Sequence, residues 1–86
     1  MLELDPSQLG SLDLQGAWVP YVDLHDVDFL PSELKLGEAE YRFNSSFLIK
    51  GHGATMPGKI QELRDAGKQP IVVERDDRYY VFVSPA

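Results

Sequence analysis

The sequence predicts a single small α+β domain over residues 1–86: an antiparallel β-sheet of about four to five strands with one α-helix packed across it, in the order β-β-α-β-β. Three observations carry this expectation. Tyr41, Phe43, Phe47 and Ile49 alternate with Arg42, Asn44, Leu48 and Lys50, the period of two of a half-buried strand. Met56, Ile60 and Leu63 recur at steps of four and three, the stripe of a short helix. Pro70–Glu74 and Tyr79–Val83 are β-rich runs joined by a short charged turn, the pattern of a hairpin.

Leu2 and Leu4 alternate with acids and suggest a short edge strand. Asp5-Pro6-Ser7-Gln8 has the makings of a helix start, with a capping carboxylate, a proline in the first turn and Gln three residues on. Gly10 limits that helix to a turn or two, and Leu9, Leu12 and Leu14 lean on the core. Ala17–Leu24 reads as a strand with Trp18, Val22 and Leu24 on one face and Val19 and Tyr21 on the other; Pro20 cannot donate to a ladder and points to an edge or a bulge. Asp26–Gly37 reads either as one helical turn begun at Pro31 or as an irregular connection. Within the strand from Tyr41, the triplet Asn44-Ser45-Ser46 is turn-prone and is its weak point. Thr55 is placed to cap the helix, Pro57 suits its first turn, and Gly67 suits a left-handed stop. The helix stripe is expected to cover Tyr41, Phe43, Phe47, Ile49, Ile71 and Val73. Arg75-Asp76-Asp77-Arg78 lacks Asn-Gly or Asp-Gly, which favours a four-residue loop.

The chain has no cysteine, which excludes disulfides, thiolate metal sites and thiol nucleophiles and fits a cytoplasmic setting. No apolar run has the length of a membrane span. The net charge of −6 is unevenly distributed: residues 1–40 hold nine acids and one base, residues 41–86 five acids and seven bases, so the two parts carry −8 and +2. Such a field governs encounter with partners rather than fold.

Four constellations invite chemistry. Gly53–Lys59 spells G-x-x-x-x-G-K between a strand and a helix, the setting in which backbone amides cradle phosphate. Ile60 stands where a hydroxyl should hold magnesium and Pro57 removes one amide, so the expectation reduces to anion binding by Gly51, Gly53, Thr55, Gly58 and Lys59. Asp23, His25, Asp26 and Asp28 form D-x-H-D-x-D, three carboxylates and an imidazole of the kind that ligate a divalent cation, but equally an acidic turn. His52 between two glycines lacks an orienting partner for general-base work. Tyr79, Tyr80 and Phe82 with Lys68, Arg75 and Arg78 mix aromatics and bases as nucleic-acid surfaces do, diluted by Glu74, Asp76 and Asp77. The sequence assigns no catalytic residue, no metal and no cofactor.

The stretch IQELRDAGKQPIVVERDDRYYVFVSP resembles the helix–strand–strand portion of Phd-type antitoxins over residues 57–85, and more distantly the N-terminal domain of ParB-like proteins. The resemblance implies a regulatory, non-catalytic protein and transfers no functional residue. Charge and resemblance together lead to a non-enzymatic interaction module, inhibitor-, antitoxin- or adaptor-like. It would bind a basic protein partner through Trp18, Tyr21, Asp23, Asp26, Asp28, Glu33, Glu38 and Glu40, with self-association through a sheet edge as a further expectation. Anion or nucleotide binding at Gly51–Lys59 is the competing expectation, and DNA binding the third.

Overall fold

The computed structural model describes residues 2–14, 16–25, 27–49 and 55–84. It corrects the expected architecture. Seven strands form one mixed sheet: β1 (Leu2–Leu4), β2 (Gly10–Leu14), β3 (Ala17–Asp23), β4 (Glu33–Leu36), β5 (Ala39–Leu48), β6 (Gln69–Arg75) and β7 (Arg78–Ser84). Their spatial order is β1-β4-β5-β7-β6-β3-β2, with β1–β4 and β3–β6 parallel and the other pairs antiparallel. The helix α1 (Met56–Asp65) packs on one side. The short edge strand read at Leu2 and Leu4 is β1, at one end of the order, but the count was underestimated because β2 and β4 are only five and four residues long, too short for a period to register. Glu33–Leu36, weighed as a helical turn, is strand β4.

The edge strands β1 and β2 lie at opposite ends of the order, yet only residues 5–9 join them. A flat seven-stranded sheet would hold its edges about 29 Å apart. Six fully extended residue steps reach at most about 22 Å, and Pro6–Gln8 are wound into a 3₁₀ turn. The sheet must therefore roll. The capping box read at Asp5 fixes that turn: the Asp5 side chain accepts from the Ser7 amide at 2.9 Å, and the Gln8 side chain accepts from the Asp5 amide at 2.9 Å.

Rolling gives the sheet an inner face that needs no helix. Leu4, Val22, Leu24, Leu34, Tyr41, Ile71, Val73 and Phe82 form one buried cluster there, drawn from six of the strands and the residue after β3. Val27 and Leu30, from the β3–β4 connection, close it. Arg75 pins that connection by donating twice to the Val27 carbonyl, at 3.1 and 2.6 Å. The outer face of β3, β6 and β7 carries the second cluster, in which Met56, Ile60 and Leu63 of α1 pack with Leu14, Val19, Val72, Val81 and Val83. Thus the expected stripe is right, but its target is corrected: Tyr41, Ile71 and Val73 face away from the helix, whereas Phe47 does pack on its side.

A bulge explains why Tyr41 and Phe47 part company. The register of β5 on β7 shifts between Phe43↔Phe82 and Ser45↔Val81, leaving Asn44 as the extra residue. One inserted residue exchanges the faces of everything downstream. The turn-prone Asn44-Ser45-Ser46 is where this happens.

The β6–β7 turn also departs from expectation. Arg75 pairs with Arg78, and Asp76 and Asp77 adopt φ of 52° and 62°. This is a two-residue turn with both central residues left-handed, which aspartate tolerates better than most residues. At the end of α1, Gly67 has φ of 80° and the Lys68 amide reaches back to the Leu63 carbonyl at 3.0 Å. Pro57 lies in the first turn as expected, but Thr55 makes no side-chain capping bond and is itself helical in φ and ψ. Pro20 sits where β3 has one neighbour, since β6 joins only from Tyr21 to Asp23.

Candidate functional site

The expected partner-binding residues fall into two groups on distant strands. Trp18, Tyr21 and Asp23 lie on β3, and Glu33, Glu38 and Glu40 lie on β4, its turn and β5; between β3 and β4 stand β5, β7 and β6. Asp28 is exposed in the connection, and Asp26 lies outside the described residues. Glu33 is opposite Arg42 and Glu40 opposite Lys35 in the β4–β5 ladder, so two of these carboxylates already face bases. On β3 the picture differs. Trp18 is 61% exposed and stands opposite Asp13 in the β2–β3 hairpin, which carries no base of its own. Arg64 of α1 donates to the Trp18 carbonyl at 2.6 Å and ties this hairpin to the helix.

The end of β3 meets the end of β6 in a polar network. The Tyr21 hydroxyl donates to Glu74 Oε1 at 2.8 Å, and His25 Nε2 lies 3.1 Å from Glu74 Oε2 and 3.3 Å from Asp23 Oδ1. The His25 amide also donates to Asp23 Oδ1 at 3.0 Å, which holds the turn. Burial, then the bond to Glu74, pushes the Tyr21 phenol well above its ordinary value, so it remains a donor. The bond to Glu74 raises His25, partly opposed by desolvation. Burial and then the Glu74 charge also raise Tyr79.

Of the D-x-H-D-x-D motif, then, Asp23 and His25 converge, and among the described residues the third member of their group is Glu74, some fifty residues away. The donor atoms of the three lie within 4.8 Å of one another. As an imidazolium, His25 supplies the positive charge between the two carboxylates itself. No local pattern announces Glu74; the only trace is a charge at the end of the apolar run Ile71-Val72-Val73.

The competing anion loop is described only in part. Gly51, His52 and Gly53 lie outside the described residues, and Thr55 and Gly58 are exposed at the start of α1. The Lys59 ammonium lies 3.8 Å from Glu62 Oε1 on its own helix. Of the aromatic–basic set, Phe82 is in the inner core. Tyr79 packs on the helix side and Tyr80 on the other.

The sequence did not point to a groove on the far side of the sheet from α1. It has a volume of about 430 Å³ and is lined by Phe29, Leu30, Pro31, Ser32, Phe43, Arg75 and Tyr80. Phe29 is 74% and Phe43 45% exposed, and Phe43 packs on Tyr80 and Phe82 at centroid distances of 6.3 and 6.0 Å. Among the described residues no helix is long and apolar enough to cross a membrane. Comparison with protein-family models, with curated proteins and with solved structures finds no match to this chain.

Proposed function

We propose that this protein is a non-enzymatic interaction module of the cytoplasm, inhibitor-, antitoxin- or adaptor-like, that receives a basic protein segment on the β2–β3 hairpin. The observation that supports it most is Trp18, 61% exposed, directly across from Asp13 and on the same strand as Asp23, in a hairpin that has no Lys or Arg of its own and meets one base, Arg64 of α1, at the Trp18 carbonyl. Exposed tryptophan is the residue type most often found at the energetic centre of an interface. An arginine or lysine over its ring gains about 0.5–1 kcal/mol at an exposed site, and flanking carboxylates add steering that salt screens.

Trp18 is the only tryptophan, so its fluorescence reports the surface directly. Titration with an arginine- and lysine-rich peptide shifts or quenches that emission at low salt. The effect weakens severalfold in Asp13→Asn with Asp23→Asn, and weakens again on raising salt. A response independent of salt and of both aspartates would refute the proposal.

A further inference from the structure

We propose that two copies of this chain pair through the second half of β5, in an antiparallel two-fold register centred on Phe47. The proposal stands apart from the basic-partner surface, which lies on other strands.

The first ground is an unpaired edge. The β4–β5 ladder runs only to Glu33↔Arg42, followed by the Phe43 amide bonding to the Ser32 carbonyl at 2.8 Å. The next position on the β4 side is Pro31, which has no amide to offer. Among the described residues no strand pairs with Asn44–Leu48 on that side. The second ground is the direction of the backbone groups. The Ile49 amide bonds to Asp77 O at 3.1 Å, and Phe47 faces Tyr79 two residues earlier, so these positions spend their backbone groups on β7. Antiparallel ladders alternate. Ser46 therefore directs both N–H and C=O outward, and Leu48, the last strand residue before Ile49 turns helical, directs its N–H outward; both are exposed.

The third ground is chemistry. Native edges are usually guarded by charge or proline, yet Phe43–Ile49 (FNSSFLI) carries neither. With the two-fold axis at Phe47, Ser46 of one copy lies opposite Leu48 of the other and the reverse, so the Leu48 N–H of each copy donates to the Ser46 carbonyl of the other. The half-buried Phe47 rings then oppose each other on the helix side at about 4.5–5.5 Å between Cβ atoms. Leu48, 40% exposed, is covered on the far side. A self-complementary strand fits a second copy of itself.

Sedimentation velocity from about 10 to 500 µM tests the pairing. The expected result is a concentration-dependent monomer–dimer equilibrium. Ser46→Lys and Leu48→Glu, both at exposed positions, each weaken it at least tenfold with unchanged circular dichroism. Mixing the two variants places the new charges opposite each other and restores association. Asp13→Asn with Asp23→Asn leaves the equilibrium untouched, which separates this pairing from the basic-partner surface. A strictly monomeric native chain, variants that associate as well as the native one, or a mixture that stays monomeric would each overturn the proposal.

Discussion

Tyr21→Phe tests whether the network at the end of β3 stabilises the fold or merely decorates it. The substitution removes one hydroxyl and leaves the ring in place among the helix-side residues. What is lost is a 2.8 Å hydrogen bond to a carboxylate. Bonds to charged groups contribute about 1.5–3 kcal/mol. The Glu74 side chain is 25% exposed, so water replaces part of the bond and the lower end applies, about 1.5 kcal/mol. In a domain of this size each kcal/mol moves Tm by roughly 4–8 °C, so Tm falls by about 6–12 °C. Glu74→Gln separates the two arms of the network: it keeps an acceptor for Tyr21 but removes the charge that raises His25. Urea unfolding and the His25 proton resonance, followed against pH, measure both arms. Since His25 has its pKa raised in the folded state, its contribution is complete below about pH 6.5, the ordinary imidazole value. It fades as pH climbs through the folded value. Native stability therefore declines across that window, and the decline flattens in Glu74→Gln. A Tyr21→Phe melt within 2 °C or so of the native one, or a His25 titration unmoved by Glu74→Gln, would refute this account of the network.

The remaining predictions concern backbone and core. Gly58 lies within α1 with no atom within 4 Å of where a Cβ would sit, so Gly58→Ala stabilises by about 0.5–1 kcal/mol in urea unfolding. Asp77 holds φ of 62° in the β6–β7 turn, and Asp77→Gly relieves it, raising the urea midpoint by the equivalent of about 0.5 kcal/mol; a lower midpoint would show that the aspartate side chain matters more than its backbone strain. The Ser45 hydroxyl is buried without a hydrogen-bond partner, so Ser45→Ala is neutral or stabilising by up to about 1 kcal/mol, where loss of a satisfied hydroxyl would lower stability.

The elements of the second half of the chain were legible because each states itself locally. The stripe of α1, the stop at Gly67 and the β6–β7 runs all need only neighbouring residues to be read. The capping box at Asp5 was legible for the same reason. What escaped depends on distance. A three-residue strand such as β1 exists because β4 lies beside it in parallel, and nothing in LEL specifies that neighbour. The target of the helix was misread because alternation along β5 assumes an unbroken register, and the extra residue at Asn44 reverses it. The candidate site divides along the same line: Asp23 and His25 declare themselves as a motif, while Glu74 joins them only once β3 and β6 pair.

The charge asymmetry acquires a structural meaning from the strand order. The acidic first part of the chain supplies both outer strands, β1 with Glu3 and β2 with Asp13, while the base-richer second part supplies β6 and β7 near the middle. Carboxylates on exposed edge strands discourage a second chain from adding there, because like charges meet when two such edges approach. The same residues that tilt the field toward a cationic partner thus also guard the ends of the rolled sheet. One stretch of edge escapes that protection: Asn44–Leu48, exposed to a neighbour because β4 begins only at Glu33, with Pro31 before it, and left uncharged from Phe43 to Ile49. Charge on the outer strands and its absence on this inner one divide the molecule into edges that repel a copy of themselves and one segment whose backbone can accept it.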